Sequence, residues 1–173
     1  MITVISATQR AKSLTSKVAL SYSKLLDNMD IDHQVLYLND LAPADLYENF
    51  NGDFTPSFSS LVDKYLQNSD KFVVVSPEYH GSYPGAFKSF IDCVGPIHFK
   101  TKKVAFVGVS SGRAGNIRGM DHLTTLFHHI RAEVYSDQVK LSGIHNLMDD
   151  SGLINDLDSL KVLNAQIEGF LSF

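Results

Sequence analysis

Four side chains near the start of the chain, Thr8, Arg10, Ser13 and Thr15, put three hydroxyls and a guanidinium around the beginning of a helix-like segment. Hydroxyls, a cation and the free N–H groups of a helix N-terminus are the usual equipment for holding a phosphate monoester. Leu14 stands among them as the first apolar position of that segment. Taken alone, the loop reads equally as a capped helix with solvated side chains. It is neither a GxxxxGKS/T phosphate loop nor a GxGxxG dinucleotide fingerprint.

A second stretch complements it. Pro77-Glu78-Tyr79-His80-Gly81-Ser82-Tyr83-Pro84-Gly85 follows the apolar run Phe72-Val73-Val74-Val75 and precedes a helix-like segment, Ala86 to Cys93. Gly81 and Gly85 let the backbone approach a planar ligand, because no Cβ intervenes. Pro77 and Pro84 stiffen the loop, which favours a preformed site. Peptide N–H groups there suit the polar edge of an isoalloxazine, where reduction places negative charge, and Tyr79 and His80 can pack on or beside such a ring. The plainer alternative is a strand-to-helix connection with Tyr79 as ordinary packing. A third turn, Ser110-Ser111-Gly112-Arg113-Ala114-Gly115-Asn116, is also glycine-bearing and also follows an apolar run.

These loops need elements to hold them. β-Branched or apolar runs at Ile2–Ile5, His33–Leu38, Lys71–Ser76 and Lys103–Val109 read as strands. A fifth is expected at Ala132–Tyr135, with Val139–Leu141 as its continuation. Helical periodicity follows from Ser13, over Ser57–Gln67, Ala86–Val94 and Arg118–Arg131, and again over Asn155–Leu171. Ala42–Pro56 reads as a long connection with a helical turn near Asp45–Tyr47, and Ser142–Ser151 as irregular. Strands alternating with helices imply right-handed crossovers and a parallel sheet covered on both faces. Five strands in this length predict one domain over residues 1–173, an α/β doubly wound sheet of flavodoxin-like order 2-1-3-4-5. In that order the first two loops face each other at the switch point.

Composition narrows the function. A net charge of −4 over 173 residues, with no basic run longer than Lys102-Lys103, argues against nucleic-acid binding. No apolar stretch approaches the ~20 residues of a membrane span. The opening MITVISATQR has neither a basic region nor a long apolar one, and Cys93 has no second cysteine to pair with. A cytoplasmic protein is the expectation. His122, His128 and His129 lack metal-ligand spacing, so solvated or interface histidines are expected there. Cys93 lacks the electropositive surroundings of a nucleophile and reads as a buried structural thiol.

The stretch PEYHGSYPGAFKSFID closely resembles the PEYNGSxPGxLKNAID signature of the NAD(P)H-dependent FMN reductase family. Ala7–Ser13 resembles that family's GSxRxxS phosphate motif, and Ser110–Gly115 is similar to its glycine-rich turn after strand four. Ala7 replaces glycine, Thr8 replaces serine and His80 replaces asparagine in these patterns. The resemblance implies bound FMN and NAD(P)H as co-substrate. Thr8, Arg10, Ser13, Leu14 and Thr15 would surround the phosphate, and Pro77, Glu78, Tyr79, His80 and Gly81 would line the ring. Ser111, Gly112 and Arg113 would sit on its far side. It implies ping-pong hydride transfer to a small acceptor such as a quinone, an azo compound or free flavin, with no obligate catalytic side chain. A homodimer or homotetramer is also implied. A flavodoxin-type electron carrier and a non-catalytic flavin-binding module stay open as alternatives, because the fold alone does not fix the activity.

Overall fold

A computed structural model describes all 173 residues. Five strands lie parallel in one sheet in the chain order 2-1-3-4-5, with a sixth also paired to the fourth. They are β1 (Ile2–Ser6), β2 (His33–Tyr37), β3 (Lys71–Pro77), β4 (Lys103–Val109), β5 (Glu133–Val134) and β6 (Val139–Leu141). The helices are α1 (Leu14–Asn28), α2 (Pro43–Glu48), α3 (Pro56–Val62), α4 (Gly85–Val94), α5 (Ile117–His129) and α6 (Leu157–Ser172). No helix is long and apolar enough to cross a membrane.

Successive strand residues point to opposite faces, so each central strand feeds two cores. Phe72, Val74, Val104 and Phe106 pack beneath α3, α4 and α5, where Phe87, Phe90, Phe99 and Phe127 form an aromatic cluster. Val73, Val75, Ala105 and Val107 face the other way, against Val18 and Tyr22 of α1 and Leu163, Ile167 and Phe170 of α6. Burying each large ring contributes on the order of 3 kcal/mol. The two layers clamp the sheet and set the level of every loop at its carboxyl end.

The structure departs from the expectation at the fifth strand. Glu133–Val134 pairs only with Lys103–Val104, and Val139–Leu141 pairs with Val107–Val109, so one strand position on the edge is split into two pieces. The buried side chain of Gln166, from α6, fills the break by donating to the carbonyls of Phe106 and Asp137 at 3.0 and 2.7 Å. The long connection after β2 contains a true helix: Pro43 occupies its first turn and the Asp45 carboxylate accepts the Ala42 N–H at 2.9 Å. The expected helix over Ser57–Gln67 is α-helical to Val62 and π-helical from Asp63 to Gln67. Loosened carbonyls of that turn accept from Thr3, Gln34 and Lys102.

Candidate functional site

At the carboxyl ends of β1, β3 and β4 the three loops enclose one cleft of about 540 Å³. Its first wall is residues 10–15. Ser13 caps α1, its hydroxyl accepting the Thr15 N–H at 3.1 Å. The N–H groups of Ala11, Lys12, Ser13 and Leu14 have no acceptor within the protein. Lys12 has φ +53°, which turns successive amides toward one side. A concave row of free donors at a helix N-terminus, with Arg10 and Lys12 beside it, is chemistry for an anion.

Thr8 does something else. It is fully buried, and its hydroxyl sits 2.8 Å from the Tyr79 hydroxyl while accepting the Arg10 N–H at 3.3 Å. The Arg10 guanidinium lies 4.4 Å from the Tyr79 ring centre, a cation–π contact. Thr8 and Arg10 thus fix Tyr79 from the edge and the face. Thr8 lies behind the lining of the cleft rather than in it.

The second wall is Pro77–His80. The Glu78 N–H donates to Val109, tying the end of β3 to β4. Tyr79 and Ser82 exchange both backbone hydrogen bonds, at 2.8 and 3.1 Å. His80 and Gly81 between them have φ +52° and +76°, the signs of a type I′ turn. Such a turn favours asparagine at its first central position, and histidine tolerates the left-handed region better than most residues. His80 therefore serves the backbone first. Its own N–H and that of Gly81 have no protein acceptor. Glu78 faces Arg118 at 3.9 Å, and Ser82 meets His122 at 2.9 Å.

Asn116 joins the second wall to the third. It is fully buried at the start of α5 with φ +65°, and its side-chain N–H donates to the Ser76 carbonyl at 2.9 Å. Gly119 makes room for it, since a Cβ there would lie 2.0 Å from the Asn116 Oδ1. The third wall, Val109–Ser111, is held by β6 and the turn after it. Ser110 donates to the Leu141 carbonyl, and Ile144 donates back to the Ser110 carbonyl. His145 comes within 3.4 Å of Ser111 and completes the lining with Ile144.

Of the residues singled out from sequence, Arg10, Ser13, Leu14, Thr15, Pro77, Glu78, Tyr79, His80 and Ser111 line this cleft. Thr8, Gly81, Gly112 and Arg113 stand outside its lining: Thr8 behind Tyr79, Gly81 in the turn under Arg118, Gly112 and Arg113 exposed beyond Ser111. Lys12, Ser110, Ile144 and His145 belong to the lining and were passed over. A signal existed for the last two: Leu141-Ser142-Gly143 ends an apolar run in a turn, just as the other wall-forming loops begin. Cys93 is buried in α4, and burial pushes its thiol up, away from thiolate chemistry. His128 and His129 are exposed in the last turn of α5, where they face the negative end of the helix dipole.

Residues 1–146 match the sequence profile of the family described as NADPH-dependent FMN reductase. The chain belongs to this family. A quinone reductase from Pseudomonas putida is 27% identical over 187 residues, an alignment covering 99% of this chain and 93% of that one. An FMN-dependent NADPH-azoreductase from Staphylococcus aureus is 30% identical over 183 residues, covering 98% and 93%. Among solved structures, the flavoenzyme NAD(P)H:(acceptor) oxidoreductase FerB from Paracoccus denitrificans superposes with a TM-score of 0.80 at 25% identity, covering 99% and 94%. As an FMN reductase of this family, the protein is an NAD(P)H-dependent oxidoreductase with FMN as its cofactor. The flavodoxin-like sheet expected from the strand pattern is the sheet observed.

Proposed function

We propose that the cleft between the three loops holds FMN and that the enzyme passes electrons from NAD(P)H to a small acceptor by a ping-pong cycle. The observation that carries this is the segregation of donors within one cavity. Free amides, Arg10, Lys12 and the Ser13 and Thr15 hydroxyls gather on the first wall, and the free N–H of His80 belongs to the second, with that of Gly81 in the turn beside it. The first group suits a dianionic phosphate and the second the electron-accepting edge of a flavin ring. A cleft of about 540 Å³ is within the ~300–1,000 Å³ range of small-molecule sites. Bound FMN would supply the hydride chemistry, with Arg10, Lys12, Ser13 and Thr15 to hold its phosphate and the Pro77–His80 wall to orient its ring. Tyr79, immobilised by Thr8 and Arg10, sets the wall against which the ring rests. Ser111 and His145 bound the opposite side.

The names of the relatives suggest quinones and azo compounds as acceptor classes, alongside free flavin. Supporting a substrate-reducing enzyme over a carrier, exposed Arg10 and Lys12 line the cleft and exposed Arg118 faces its lining residue Glu78. A carrier docking cationic partners would place acidic groups there. In this reading the whole chain is one flavin-binding domain, working in a reducing cytoplasm where Cys93 stays a thiol. It works as a homodimer or homotetramer, supported by exposed Tyr47 and Phe50 beside a hollow of about 250 Å³ that Gly85 and Ala86 share. Light scattering at micromolar concentration tests the assembly, and a monomeric mass rejects it. The test of function is anaerobic addition of NADH or NADPH to the yellow protein, followed by a quinone or azo compound. Bleaching without any partner protein, then recovery of colour with the acceptor and parallel lines in double-reciprocal plots, is the expected result. Protein that is colourless and takes up no FMN, or is not bleached, overturns it.

A further inference from the structure

A second hollow of about 410 Å³ opens on the far side of Lys12 and Ser13, so these two residues belong to both spaces. Whatever anion rests at the start of α1 is therefore accessible from two directions. The hollow runs over the end of β2 and is lined there by Tyr37, Asn39 and Asp40; Lys17 of α1 stands on its wall, with the end of its side chain lying over Gly152 and free of any hydrogen bond. Neither Lys12 nor Lys17 takes part in an ion pair. Asn39 is oriented, its Oδ1 accepting from Ser16 at 3.0 Å and its amide group donating to Asp40 at 3.3 Å. Tyr37 is half-buried, packed against the core beneath α1, and lines the hollow.

This set has the chemistry of a nucleotide arm: a cation for a second phosphate, a ring for a base, and a carboxylate with a carboxamide for a ribose diol. Its position in the fold says the same. In open α/β sheets that bind dinucleotides, phosphate sits at the helix after the first strand, and an acidic residue after the second strand takes the ribose hydroxyls. Asp40 follows β2, the strand hydrogen-bonded to β1.

We propose that this hollow receives the adenylate half of flavin adenine dinucleotide, so that the site accepts FAD as well as FMN. Lys17, unpaired and able to swing off Gly152, meets the second phosphate, Tyr37 packs on the purine, and Asp40 with Asn39 takes the ribose diol. The proposal rests on FMN binding in the larger cleft. Its test is calorimetric titration of the flavin-free full-length protein with FMN and with FAD, for the natural sequence and for Lys17→Met and Asp40→Asn. Both substitutions are at exposed positions outside the larger cleft. The expected result is FAD binding at least as tight as FMN, weakened about tenfold by either change, with FMN affinity held within about twofold. FMN binding without FAD binding overturns the proposal alone, as does FAD affinity that neither variant alters. Loss of FMN affinity in both variants overturns it too, because the hollow would not be separate. If Lys17→Met instead raises the KM for NADPH over NADH with FAD affinity unchanged, the hollow serves the co-substrate and the proposal fails. Absence of binding by either flavin points to the larger cleft and rejects the reading beneath it.

Discussion

The two ends of the sheet treat their spare backbone groups in opposite ways. At the amino end, loose carbonyls are taken up by the protein itself. Lys71 donates to the Phe170 and Leu171 carbonyls at 2.7 Å each, Lys102 to Leu66 at 2.6 Å, and Lys103 to the last residue, Phe173. At the carboxyl end, the N–H groups of residues 11–14, 80 and 81 are left without acceptors, although the loops bearing them are tied down. Ala11, Lys12 and His80 are exposed and Ser13, Leu14 and Gly81 half-buried, so these donors face water and are open to a ligand. The amino end closes on itself and the carboxyl end stays open.

Substitutions can break that contrast at either end. The largest effect is expected for Gly119→Ala, where the new Cβ must displace the Asn116 side chain from the end of β3. It should lower stability by about 3 kcal/mol and loosen flavin binding as well, read by urea unfolding and flavin titration. An alanine variant as stable as the parent would remove Asn116 from its linking role. Arg10→Ala should weaken FMN binding by about 2 kcal/mol through a lost charge-assisted contact, while leaving the unfolding midpoint near its original value. Unchanged affinity in flavin-fluorescence titration would show that the guanidinium serves Tyr79 alone. Lys71→Met acts at the other end and should cost about 1 kcal/mol of stability, with FMN affinity untouched. A matching loss of FMN affinity would blur the distinction between the ends.

The smallest effect sharpens the contrast by its exception. His98, at the amino end, has a buried Nδ1 with no partner, and burial followed by the charge of Lys102 pulls its pKa below the ordinary 6.5. The folded protein then binds this proton less readily than the unfolded chain. Stability should rise with pH up to about 6.5 and fall as the pH drops below it toward the lowered pKa. In His98→Gln that acid-side slope should flatten, measured by unfolding at pH 5 and pH 7. An identical slope in the variant would assign the acid loss to carboxylates.

How much of this was legible in the sequence depends on the range of the interactions. The sheet order was, because β-branched runs such as Val73-Val74-Val75 can only be buried strands at this length. The cluster of donors at the start of α1 was too, since they lie within a few residues of one another. The bond of Thr8 to Tyr79, 71 residues away, was not legible. Nothing local tells a phosphate-binding hydroxyl from one spent on a distant phenol. His80 was read for its imidazole, whereas the turn needs a residue that accepts a positive φ. The split of the edge strand escaped for the same reason of distance, because the residue that makes it tolerable, Gln166, comes from the last helix.

That split has a consequence beyond the cleft. The outer edge of a sheet presents unpaired N–H and C=O groups on which a strand from another molecule can grow. Here the edge beside β4 consists of pieces two and three residues long, interrupted where Gln166 occupies the ladder. Neither piece offers a continuous template. The arrangement that carries His145 to the cleft also makes this edge a poorer template for another strand than the continuous five-residue β2 at the opposite edge.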